Sequence, residues 1–231
     1  MYQASLDMIA DGMEACWRTA VNTVEAASIL KSHGHNGLCL SLSVLAMEEI
    51  GKLILIDGLL FARPNDERSE LYDKCFRAHK SKLLSIDVFP LFLNYLSTLD
   101  PRHGKDKAFA LAVALCIKQY KEQRLSLAKW IGKECDLQKL DFWKQRGFYT
   151  HYTERRFVSP SEIDQVFCES VYLLSYRIVD SVTFLLKNNL IRYKEHIRTS
   201  RERLSEKEII EIRQEAQRCV EDVFGLAVEN K

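Results

Sequence analysis

Proline and glycine are scarce in this chain of 231 residues, with four and nine copies respectively, which leaves little material for tight hairpins or long irregular loops. No stretch alternates apolar and polar residues between turn signals, so a sheet-rich fold is excluded. Charge of one sign is not in surplus either. Lys and Arg number 33 against 32 acids, a net charge of +1, which rules out a globally basic nucleic-acid binder and confines any such role to local patches. The seven cysteines are odd in number and scattered, with no CxxC pair. They read as reduced cytosolic thiols, neither a disulfide framework nor a zinc site. Met1 to Asp11 lacks the basic start and apolar run of a secretory leader. The longest apolar run, Leu38 to Leu60, is broken by Glu48, Glu49, Lys52 and Asp57, too charged to span a bilayer. Phosphate-binding GxxxxGK[ST] loops, GxSxG elbows, HExxH pairs and tandem repeats are all missing.

What is present is helical. Hydrophobic residues make up 47% and charged residues 28%, enough to bury a core in one large domain. Leu6, Ile9, Met13, Cys16, Trp17, Ala20 and Val24 recur at three and four, predicting a long helix over 5–33 that Gly34 ends. A second helix is expected over 37–62, stopped before Pro64, and so short a turn makes the two antiparallel. Further helices are expected over 66–84, 89–99 and 107–134. Ser159-Pro160-Ser161-Glu162 is a capping box that opens a helix to about Tyr193. Charge-rich Arg192 to Arg203 reads as a break, and Ser205 to Glu208 repeats the capping pattern before a last helix. The fold class is therefore all-α, a bundle of long antiparallel helices with short connections, divided into a main domain, 1–195, and a helical extension, 196–231.

Chemistry concentrates in Leu140 to Tyr152, LDFWKQRGFYTHY. Arg146 and His151, four residues between them, pair a permanent cation with a proton carrier that titrates near neutrality. Such a pair can cleave RNA without a metal: the imidazole moves a proton at the ribose 2′-OH or the leaving oxygen, and the guanidinium offsets charge on the phosphate. An unbroken helix would set the two about 140° apart. Gly147 and the run Phe148, Tyr149, Thr150 argue for a helix end there, with Arg146 as the last helical residue. Lys144, Arg155 and Tyr149 supply basic and aromatic surroundings suited to a single strand. In the second helix, Glu48 and Glu49 lie four and three residues before Lys52, so one ammonium can reach both carboxylates. One of these acids is expected to position Arg146 or His151; the other reading is an ion pair at a packing seam. Arg77, His79, Lys80 and Lys82 form a patch without acids, read as phosphate contacts or as a solvated helix face.

LAMEEIGK (45–52), FRAHKSKL (76–83) and KQRGFYTHY (144–152), in that order, resemble the AbiV abortive-infection family, within the wider class of HEPN domains. The resemblance covers about residues 5–195. It implies a HEPN-like bundle, a homodimer, and a part in bacterial defence against phage. It further implies a metal-independent endoribonuclease, since HEPN signatures place an Arg four to six residues before a His at a dimer cleft. Arg146 and His151 match that spacing, and Glu48 or Glu49 would be the acidic residue near the centre. The departure is Gly147, where the class usually carries a polar residue; Tyr149 is the candidate to take over its role. The expected partners are a second copy, an RNA substrate and a phage protein acting as trigger, in the cytoplasm, with no membrane, cofactor or metal. The alternative is a non-catalytic helical defence protein that binds a phage or host protein.

Overall fold

The computed structural model describes residues 6–58, 77–133, 135–153 and 156–203. Helix α1 (Leu6–Ser32) turns at Gly34, whose φ of 76° suits a residue without Cβ, into α2 (Asn36–Gly58). Along α1, Ile9, Met13, Ala20, Val24 and Ala27 face inward at helical spacing. Helix α2 is apolar almost all round, and Leu40, Val44, Met47, Ile50 and Leu53 are fully buried. That composition places it at the centre of an all-α bundle, packed by α1, α3 (His79–Ser85), α6 (Leu140–Phe148) and α7 (Gln165–Leu186). Helices α4 (Phe89–Thr98), α5 (Lys107–Ser126) and α8 (Leu190–Arg203) complete the described part.

Helix α3 lies close enough to α2 that a Cβ on Gly51 would sit 1.9 Å from the Lys82 carbonyl oxygen, and Ser85 Oγ donates to the Gly51 carbonyl at 2.9 Å. The turn after α4 is held by the Arg102 fork on Asp100, joined by Asn189 Nδ2 at 2.6 Å, with the guanidinium 4.3 Å from the Phe109 ring centroid. Arg102, followed by a backbone bond and Asn189, holds the Asp100 carboxyl at about 2, below the usual carboxylate range.

Several expectations are corrected. The 107–134 helix stops at Ser126, followed by a single turn, Ala128–Ile131, and a loop in which Gly132 and Cys135 take positive φ. The Ser159 capping box forms as expected but opens only a 3₁₀ turn, Pro160–Glu162; Asp164 is the cap of α7, accepting from Phe167 N–H at 2.8 Å. The break falls at 187–189, and 192–203 belongs to α8, whose second and third turns bind α1 through Lys194 to Asp11 and Arg198 to Asp7. Charges there pair across the seam instead of unwinding the helix. Helix α8 runs unbroken across residue 195. An antiparallel hairpin, β1 (His151–Thr153) with β2 (Arg156–Val158), was not foreseen because three-residue strands are too short to show alternation. Of the predicted second and third helices, residues 59–76 lie outside the described residues, as does the expected last helix.

At the far end of α2, Asp57 is fully buried and accepts from Tyr193 Oη at 2.8 Å. Burial raises its pKa to about 7 against the bond from Tyr193, which lowers it. A carboxyl whose folded value lies above its unfolded one contributes stability that is complete in acid and lost as pH rises through the folded value. We expect Asp57→Asn to flatten the decline in stability between about pH 4 and about pH 7, an effect on the order of 4 kcal/mol. Thermal melts of the two proteins across that range measure it.

Candidate functional site

Helix α6 carries the site, and it sits directly on α2. Ser41 Oγ donates to the Lys144 carbonyl at 2.7 Å, and Gly147 faces Gly37 and Ser41. A Cβ on Gly147 would lie 2.1 Å from Ser41 Oγ and 2.3 Å from the Gly37 carbonyl oxygen. The glycine after Arg146 is thus a packing requirement: no polar side chain fits there. It does not end the helix, which continues to Phe148, so Arg146 is not its last residue. Gly147→Ala is expected to destabilise the protein by about 1–3 kcal/mol, the usual cost of forcing atoms into a packed seam. A melting temperature equal to wild type would show that the seam yields.

The face of α6 turned to α2 holds a buried charge cluster. Lys144, 2% exposed, donates to Glu48 Oε1 at 2.5 Å and forms an ion pair with Asp141 Oδ1 at 2.8 Å. Glu48, equally buried, accepts from His79 Nδ1 at 2.7 Å through its other oxygen. A carboxylate partner requires the proton on Nδ1, which leaves His79 Nε2 as the open nitrogen of a half-exposed ring. Glu48, His79 and Asp141 each offer a ligand atom within 4.8 Å of the others, a set able to surround a cation. The Lys144 ammonium bonds two of the three and lies 3.3 Å from His79 Nδ1, so a metal ion bound by the set would take its place. Lys52 does not reach both acids as expected: it binds Glu49, at 2.6 Å and 2.8 Å to the two oxygens, while Glu48 turns inward. Burial first, then Lys52, holds the Lys82 ammonium below the ordinary lysine range.

Arg146 lies two residues beyond Lys144, about 200° round the helix and so on its outer side. Its guanidinium is 5.1 Å from the Trp143 centroid and 5.5 Å from that of Phe142. Glu48 therefore does not position Arg146; α6 stands between them. Arg146 instead lines a cleft of about 180 Å³ with Trp130, Trp143, Val158, Asp164 and Phe167. Of His151 the structure describes the backbone, and the hairpin register sets it directly opposite Val158, a wall of that cleft.

The remaining sequence candidates are dispersed. Tyr149 caps α6 and is 62% exposed, with its ring 6.1 Å from that of Phe148. Arg77 and Lys80 are exposed beside His79, at the start of α3. Lys82 and Lys144, expected as phosphate contacts, are buried near carboxylates and present no ammonium to a strand outside. Arg155 lies outside the described residues. Trp130 and Asp164 were not singled out from sequence; they reach the cleft from separate segments, and no local spacing links them to Arg146. The acids interrupting the apolar second helix were the available clue to Glu48.

Among the described residues no helix is long and apolar enough to cross a membrane. Residues 8–170 match the family model described as AbiV, HEPN_AbiV. No curated protein and no solved structure matches the chain.

Proposed function

The chain belongs to the AbiV family of HEPN abortive-infection proteins, and from that premise we propose that it is a metal-independent endoribonuclease of antiphage defence, with Arg146 and His151 as its catalytic pair. One observation carries the reading: the hairpin register sets His151 opposite Val158, and Val158 walls the same cleft as Arg146. Cross-strand partners have Cα atoms about 5 Å apart, within reach of a side chain of either residue. In this reading the His151 imidazole takes the proton of a ribose 2′-OH, that oxygen attacks the adjacent phosphorus, and the P–O5′ bond breaks as the 5′-oxygen takes a proton from solvent water. The Arg146 guanidinium holds the phosphate oxygens as their charge grows. Two copies place two such pairs along one cleft, in the cytoplasm, with a phage protein as trigger. Glu48 then acts as architecture, holding α3 and α6 to α2, and Glu49 pairs with Lys52 within α2.

A second reading keeps the fold and drops cleavage. It is favoured by the exposed apolar side chains along α5, Leu111 at 71%, Leu115 at 49% and Leu125 at 67%, a surface suited to a protein partner. Purified protein incubated with total RNA in EDTA separates the two. The nuclease yields fragments ending in 2′,3′-cyclic phosphate and 5′-OH. Intact RNA, with a phage or host protein bound stably to the chain, would replace this reading with the second.

A further inference from the structure

The cleft beside Arg146 has features that phosphate clamping does not use. Two of its walls are carboxylates, Glu162 and Asp164, which repel a phosphate. Three more are aromatic: Trp130 and Trp143 each pack against Phe167 with ring centroids 4.9 Å apart. The buried indole N–H of Trp130 has no acceptor among the described residues, although buried indole donors ordinarily find one. Asp164 commits one oxygen to the Phe167 N–H and keeps the other. Size sets a further limit. At about 180 Å³ the cleft is smaller than the roughly 300–1,000 Å³ of sites for drug-sized ligands, and slightly larger than the ~150 Å³ void that holds a benzene ring. It takes one flat ring system, not a whole nucleotide.

We infer that this cleft is a base-recognition subsite that receives a guanine of a single-stranded RNA, stacked against the Trp130 and Trp143 walls. The choice of base follows from hydrogen-bonding edges. The uncommitted Asp164 oxygen only accepts, so it suits an edge whose neighbouring groups are both donors and disfavours one that sets an acceptor beside its amino group. Guanine presents N1–H beside its 2-amino group. Adenine and cytosine set an acceptor beside their amino group, and uracil flanks one donor with two acceptors. The guanine O6 acceptor suits one N–H of the Arg146 guanidinium, which leaves the rest of the fork for the phosphate. Stacking of an unpaired base on aromatic side chains contributes about 1–3 kcal/mol. The inference deepens the ribonuclease reading and rests on it for the polymer to which the guanine belongs: a base held here brings its own phosphate to Arg146, so cleavage falls beside guanosines.

Tryptophan fluorescence tests it on the full chain, because two of the three tryptophans wall the cleft and the third, Trp17, is bonded to Thr183 on α7. GMP is expected to quench emission with at least tenfold higher affinity than AMP, CMP or UMP, and inorganic phosphate to leave it unchanged. Asp164→Asn keeps an oxygen for the helix cap, where Asn serves as well as Asp, but turns a donor toward the guanine edge. It should lower GMP affinity at least tenfold, to the level of the other nucleotides. Equal quenching by all four nucleotides, quenching by phosphate alone, or a folded Asp164→Asn protein that keeps the GMP preference would overturn the inference. His151→Ala separates the two readings, since it should bind GMP as wild type does while cleaving RNA about 10²–10⁴-fold more slowly. Cleavage without GMP preference sinks the pocket and leaves the nuclease; GMP binding by a wild type that cuts no RNA does the reverse.

Discussion

Replacing His151 by alanine should lower the single-turnover rate of RNA cleavage by about 10²–10⁴-fold, the usual contribution of a positioned general acid or base. Arg146→Ala should cost about 10²–10³-fold, the scale for loss of one group that stabilises charge in the transition state. Neither change should unfold the protein. Arg146 stands on the outer side of α6, and its contacts with Phe142 and Trp143 are cation–π contacts of the kind that contribute about 0.5–1 kcal/mol at exposed sites. His151 belongs to a hairpin whose backbone pairing with Val158 does not require an imidazole. The comparison is made on RNA in EDTA with both variants checked by thermal melts. A variant that melts like wild type and cuts at the wild-type rate removes its residue from the catalytic pair.

The second large effect belongs to stability. Lys144→Ala should cost about 3–5 kcal/mol, because it removes the ammonium bonded to a Glu48 carboxylate that is 3% exposed, leaving His79 as its hydrogen-bond donor among the described residues. For a chain of this size each kcal/mol shifts the melting temperature by roughly 2–4 °C, so a fall on the order of 10 °C is expected. Replacing the pair together, Lys144→Met with Glu48→Leu, should recover most of that loss, since a buried ion pair contributes little over well-packed apolar side chains of similar volume. Thermal melts of the two variants decide it. A Lys144→Ala protein within about 1 kcal/mol of wild type would mean that the pair behaves as a surface salt bridge.

The bundle was legible because helical periodicity is a long-range average: α1 declares itself through apolar residues recurring at three and four, and no single residue could disguise it. The Arg146–His151 spacing was legible for a different reason, as two reactive side chains close in sequence. What escaped was set by packing across long separations. Nothing near Glu48 tells that its partners are Lys144 and His79 rather than Lys52, because the choice depends on where α3 and α6 land on α2. Gly147 shows the limit most clearly. In sequence it reads as a helix end, while in the structure it is the point where two backbones touch, with no room for Cβ. The hairpin was hidden by its length, and with it the register that brings residue 151 opposite a wall of the cleft.

Whether the guanidinium and the imidazole work as one unit is decided most directly by a double-mutant cycle on RNA cleavage in EDTA. Residues that share one transition state are strongly non-additive, so the Arg146→Ala, His151→Ala double variant should be scarcely slower than the slower single variant. Losses that multiply, as for two sites acting apart, would contradict the account.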